Sequence, residues 1–171
     1  MDSFEMTVAA DGDLPALVLS VPTGDDIDRI AEICQEADIQ EWTSIVRGYQ
    51  RSDAEFFVEQ VVAKGWNEGR ELTWAIREAD AGASAHLVGM LGITLSGPEG
   101  ARTGEVGYWL AAAARGRGTM TRAVAALIDM AFDSSGPLSL SALRWRCDIH
   151  DSSCGPVPNW ASWKVAWSLG F

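Results

Sequence analysis

A mixed α+β fold, with a mostly antiparallel central sheet flanked by helices, follows from three features of the sequence. Three runs of strand character, ELTWAIRE (71–78), AHLVGMLGITL (85–95) and GEVGYWL (104–110), follow one another with only the turn-rich DAGAS and SGPEGART between them. Connections this short pair strands antiparallel. Helix-periodic segments flank the block, and a strand-helix-strand-helix ending implies one parallel crossover. A doubly wound βαβα sheet would not hold three consecutive strands.

The chain has 171 residues, enough for one domain with a sizeable core, and no repeat or low-complexity linker divides it. Residues 1–13, MDSFEMTVAADGD, read as a flexible acidic lead-in, and 14–171 as a single domain. PALVLSV (15–21) is the first expected strand. Thr23 with Asp26 forms an N-cap pattern, after which Ile27, Ile30, Ala31 and Cys34 recur at helical spacing. A second helix begins near SDAEFFVEQVVAKGW (52–66), with Ser52 and Glu55 at capping-box spacing and Phe56, Val58, Val61 and Val62 at buried positions. Beyond the three strands, Met120, Val124, Leu127, Ile128 and Ala131 make the apolar stripe of a strong helix that DSSGP (133–137) ends. ALRWRCDI (142–149) reads as another strand. Asn159 can cap a last helix, NWASWKVAWSLGF, in which Trp160, Trp163 and Trp167 form a stripe of core character.

Asp and Glu number 24 against 13 Lys and Arg, a formal net charge of −11. That balance repels phosphate backbones, so no nucleic-acid partner is expected, and it steers cationic partners such as amines toward the surface. No window approaches the roughly 20 apolar residues of a bilayer span. The N-terminus has neither the basic nor the apolar region of a secretory signal. The expectation is a cytoplasmic protein with no membrane partner. Three cysteines are too few for a disulfide framework. Cys147, His150 and Cys154, beside Asp151, lack the paired spacing of strong zinc motifs, so no metal is expected.

The stretch ARGRGTMTRA (114–123) opens the strong helix. Gly116 and Gly118 let the backbone curl so that successive N–H groups converge, and the helix adds about half a positive charge at its start. Such a bend suits a phosphate held by main chain, with Arg115, Arg117 and Arg122 adding charge. The alternative is a glycine-rich tight turn of no further role. Arg122 reads equally as a phosphate contact or as a solvated first-turn residue. A nucleoside-triphosphatase loop is excluded, because the stretch has no lysine. The dinucleotide pattern G-x-G-x-x-G fails at Thr121.

GEVGYWLAAAARGRGTMTRAVAALIDMAF, joined to the downstream NWASWKVAWSLGF, resembles the GNAT superfamily of N-acetyltransferases, and within it the RimJ/RimL-like branch. EWTSI (41–45) and SDAEFFV extend the likeness over nearly the whole chain. The resemblance implies the acyl-CoA N-acyltransferase fold and a loop of the form [QR]-x-x-G-x-[GA], here Arg115-Gly116-Arg117-Gly118-Thr119-Met120. Departures are Met120 in a small-residue slot, Arg122 where glutamate is usual, and a longer DIHDSSCGPVP connection. Family members also continue through two further strands, so the domain is expected to be C-terminally incomplete.

The resemblance further implies acetyl-CoA as cosubstrate, bound by Arg115 through Met120, with Asn159 on the pantetheine arm. It implies a backbone N–H near Leu110 for the oxyanion and Ser162 at the departing sulfur, where many relatives use a tyrosine. Glu105 is the candidate general base, with a solvent-facing strand glutamate as the alternative. Trp42 and Trp109 are candidate pocket walls, while His86 and His150 are assigned no catalytic role. The implied acceptor is an amine-bearing small molecule or a peptide N-terminus, and a homodimer is left open. An alternative is a catalytically impaired acetyl-CoA-binding module, its C-terminal strands missing.

Overall fold

The computed structural model describes residues 2–79, 85–98 and 100–145. Within them one sheet runs in strand order β1 to β6: β1 (Met6–Val8), β2 (Ala16–Ser20), β3 (Glu71–Ala79), β4 (His86–Ser96), β5 (Thr103–Leu110) and β6 (Ala142–Trp145). Every neighbouring pair is antiparallel except β5 and β6, which are parallel. The helix α5 (Thr119–Phe132) makes that one crossover, as the order of sequence patterns predicts. The mixed, mostly antiparallel α+β architecture is therefore the one expected.

Alternation explains how β3 is buried on both sides. Leu72, Trp74 and Ile76 point into one apolar cluster with Leu17, Leu19, Leu91 and Ile93, and α5 covers it with Ala123, Leu127, Ile128 and Ala131. Ala75 points to the other face, into a cluster with Met90, Ala111 and the helix α1 (Ile27–Ile33). The β3–β4 register slips between Ile76, opposite Gly89, and Arg77, opposite Leu87, leaving Val88 as a bulge. The bulge lets Leu87 and Met90, an odd number of residues apart, share one cluster.

Three differences from the sequence expectations concern the N-terminal half. The supposed flexible lead-in supplies β1, with Met6 opposite Leu19 and buried against the core. Trp74 Nε1 donates to Phe4 O (3.0 Å), and the Phe4 ring meets Trp66 edge-on at 5.4 Å. An acidic composition hid the alternation of Phe4, Met6 and Val8. A short helix α2 (Ala37–Trp42) follows α1, where only one helix was expected. The second expected helix begins earlier, as α3 (Arg51–Phe56), and its start is closed by Asp53, which accepts from Gln50 N (2.8 Å), rather than by Ser52 and Glu55. It continues through a π segment (Phe57–Val62) into α4 (Ala63–Glu68). The wider π turn rotates the buried face: Phe56 is 63% exposed, while Phe57 packs against both clusters. The helix thereby passes from the α1 cluster, through Val58, to the α5 cluster, through Val62 and Trp66.

The expected strand over 142–149 is described as far as Trp145, and the last helix from Asn159 lies outside the described residues. Among the described residues no helix is long and apolar enough to cross a membrane.

Candidate functional site

The chain leaves β5 through a 3₁₀ turn (Ala112–Ala114) and bends at Gly116 and Gly118 before entering α5. Both glycines are left-handed, at φ +74° and +75°, and a Cβ on either would meet nothing within 4 Å. Backbone conformation, not lack of space, therefore selects glycine here. The bend is exposed. Among the described residues the amides of Gly116, Arg117 and Gly118 donate to no backbone carbonyl, and the first helical amide bond is Arg122 N to Gly118 O (3.0 Å). Unpaired N–H groups at the positive end of a 14-residue helix form an anion-competent cradle.

The three arginines of the stretch have partners within the protein. Arg115 Nε donates to Leu110 O (2.9 Å), its Nη1 to Asp38 (2.9 Å) and its Nη2 to Glu36 (3.5 Å). Glu36 also accepts from Ala112 N (2.9 Å). These bonds staple the exit of β5 to the start of α2. Arg117 Nη2 lies 3.1–3.2 Å from both oxygens of Glu78, which also accepts from the buried Thr119 hydroxyl (3.0 Å). The Arg122 guanidinium donates to Pro15 O (2.9 Å) and Ala9 O (2.5 Å), tying α5 to the N-terminal segment, a role that neither sequence reading named. Glu36, Asp38 and Glu78 are site residues that sequence reasoning missed. They stand 39 to 79 positions from the arginines they hold, so no local spacing could have pointed to them.

On β5, Glu105 lies opposite Thr94 and beside Arg144, whose Nε donates to it (3.1 Å). Gly107 and Trp109 share its face by alternation, and Trp109 packs on the α1 cluster. Ala111 N donates to Val88 O (2.8 Å), so alternation turns the Leu110 N–H toward the other edge of β5. On that edge β6 pairs with Thr103 through Val106, and the described pairing stops short of Leu110. Leu110 is thus brought beside the 115–118 bend, and Met120 is half-buried in the first turn of α5. Trp42 ends α2, 47% exposed. Asn159 and Ser162 lie outside the described residues, as do Cys147, His150 and Cys154. Among the described residues no group of His, Cys, Asp and Glu is arranged to hold a metal ion.

Two further features border this region. Arg77 donates in bidentate fashion to Asp26 (2.6 and 2.7 Å). Burial pushes the Asp26 carboxyl up, but the bonds from Arg77 and from Thr23 N outweigh it and hold the group below the ordinary carboxylate range. Cys34 is buried, and burial with the Glu36 charge pushes its thiol up to about 12, which disfavours the nucleophilic thiolate.

Comparison with known proteins gives this geometry a family. The chain resembles the ribosomal-protein-S5-alanine acetyltransferase of Vibrio fischeri at 16% identity and a TM-score of 0.69, covering 97% of this chain and 82% of that one. A Salmonella typhimurium acetyltransferase that modifies the N-terminal serine of ribosomal protein L7/L12 aligns at 15% identity and a TM-score of 0.66, covering 80% of this chain and 74% of that one. The microcin C7 self-immunity acetyltransferase MccE, solved with acetyl-CoA and AMP, aligns at 20% identity and a TM-score of 0.63, covering 94% and 79%. None of the curated proteins searched matches the chain. At these identities the solved structures establish the fold alone. The family rests on the sequence model of the acetyltransferase (GNAT) domain, which matches residues 16–171: the chain belongs to that family.

Proposed function

We propose that this GNAT acetyltransferase moves the acetyl group of acetyl-CoA to a primary amine, either the α-amine of a peptide or that of a small molecule, by direct attack on the thioester. The observation that carries the reading is the exposed Gly116–Gly118 bend at the positive end of α5, whose amides make no backbone hydrogen bond among the described residues. A diphosphate fits such a main-chain cradle, and the side chains of Arg115 and Arg117 flank it. The structures of relatives that carry acetyl-CoA or act on ribosomal-protein N-termini support the same class of substrates.

Attack requires a neutral amine. A lysine side chain is about one part in two thousand neutral at pH 7, and an α-amine about a tenth, so the α-amine needs far less help. In the proposed step the amine nitrogen bonds to the acetyl carbon and its proton passes to Glu105, directly or through a water, while Arg144 orients the carboxylate. The Leu110 N–H stabilises the oxyanion. The carbon–sulfur bond then breaks, and the thiolate receives a hydrogen bond from Ser162 while Asn159 holds the pantetheine arm. Trp42 and Trp109 wall the acceptor side. The reaction would run in the cytoplasm.

Calorimetric titration with acetyl-CoA, followed by a thiol-release assay over peptide and small-molecule amines, tests the reading. Saturable binding with thiol release on some amine is expected. Absence of binding refutes the cradle, and binding without turnover on any amine refutes the transfer reaction.

A further inference from the structure

A bend containing two left-handed glycines gains its shape at the expense of rigidity, because each glycine opens conformations closed to other residues. Something must hold it in the one exposed shape in which its amides donate to no backbone carbonyl among the described residues. Upstream, Arg115 anchors the chain to Leu110 O and α2. Across the bend itself, the side-chain hydrogen bonds of residues 117 and 119 converge on one group, the Glu78 carboxylate at the end of β3. Its side chain is 13% exposed and braced by the sheet, where Glu78 lies opposite Leu17 on β2 and His86 on β4.

A carboxylate bonded to the side chains of an anion-binding bend is unexpected on electrostatic grounds, since it repels the polyanion the site would hold. Its position makes sense if geometry outweighs charge. One oxygen accepts the Thr119 hydroxyl, which fixes the first residue of α5, and both oxygens meet Arg117, which fixes the residue between the glycines. Arg117 at the same time neutralises the carboxylate. We propose that Glu78 is the positioning residue of the anion-binding bend, acting through Thr119 and Arg117 and touching no substrate. The proposal rests on acetyl-CoA binding at this bend.

The charge and positioning roles differ in sign. If Glu78 acted only by masking Arg117, removing its charge would free a guanidinium and tighten binding. If it positions the bend, E78A weakens acetyl-CoA by about tenfold in calorimetric Kd, the scale of one lost charge-assisted hydrogen bond. E78Q keeps the acceptor oxygen for Thr119 and Arg117 and binds within about threefold of wild type. T119V, which removes the hydroxyl, loses affinity as E78A does. Thermal melts run alongside show whether each variant is folded. A readout without acetyl-CoA is the rate of trypsin cleavage after Arg117, expected to rise several-fold in E78A but not in E78Q when both are folded. Unchanged or tighter binding by folded E78A, or equal loss in E78Q and E78A, overturns the proposal. If wild type binds no acetyl-CoA, the functional reading falls, and the cleavage rates alone decide whether Glu78 holds the bend.

Discussion

Asp26 shows how one side chain can carry both a turn and a buried charge pair. It accepts from Thr23 N (2.7 Å) to close the start of the first helical segment and meets Arg77 with both oxygens. The pair is well shielded, at 16% and 6% side-chain exposure. Removing one partner strands the other charge, so D26N should lower stability by about 3 kcal/mol at pH 7. The pH dependence has a definite sign. Because the folded-state pKa of Asp26 is depressed, its contribution is complete above the unfolded value of about 3.9 and disappears as pH falls through the lower folded value. Urea denaturation should therefore show the gap between wild type and D26N narrowing from pH 7 to about pH 3. A gap that stays constant would mean that the pair is not what Asp26 contributes.

Among the elements, α2 is the one whose place depends most on a single junction. Six residues are too few for a stable helix in isolation, and α2 buries only Ile39. Arg115 with Asp38, and Glu36 with both Arg115 and Ala112 N, fasten its start to the exit of β5. These groups are partly exposed, so the ion pairs themselves contribute little, about 0.5 kcal/mol each. The amide bond to Ala112 is the more telling one. E36A should speed hydrogen exchange at the Ala112 amide roughly fivefold, as expected for the loss of one ordinary hydrogen bond, whereas E36Q retains most of the protection. Equal exchange in wild type and E36A would show that the 3₁₀ turn holds that amide without α2. The same junction explains why α2 escapes sequence reading: its apolar pattern is one residue deep, and its anchors lie more than 70 positions downstream.

At the scale of the molecule, two helical layers clamp a sheet whose central strands are buried on both faces, and the helix formed by α3, the π segment and α4 contributes to both layers. The N-terminal segment closes one edge. Phe4 packs against both Trp66 and Trp74, which also meet each other, and Arg122 on α5 reaches back to Ala9 and Pro15. F4A should therefore cost about 2–3 kcal/mol, slightly under the value for a fully buried phenylalanine because Phe4 is only half-buried. Chemical denaturation measures this, and a loss under about 0.5 kcal/mol, typical of surface substitutions, would show that residues before β2 do not stabilise the core.

Local chemistry in the sequence determined the order of strands β2 to β6 and of the α1, α3 and α5 helices, the parallel crossover and the glycine bend. Alternation, helical periodicity, capping residues and left-handed glycines are all set by neighbours within a few positions. The stretch from Glu105 to Met120 was legible as one strand, one turn and one helix start in succession, whereas the role given to Leu110 came from the family resemblance alone. Only the tertiary structure decided that Phe56 faces solvent, that residues 6–8 pair with β2, and that Arg115, Arg117 and Arg122 are held by Asp38, Glu78 and Pro15. The physical reason is the same in each case. An ion pair, a hydrogen bond or a strand edge between segments 9 to 107 residues apart is selected by the free energy of the packed whole, to which no local pattern of the sequence has access.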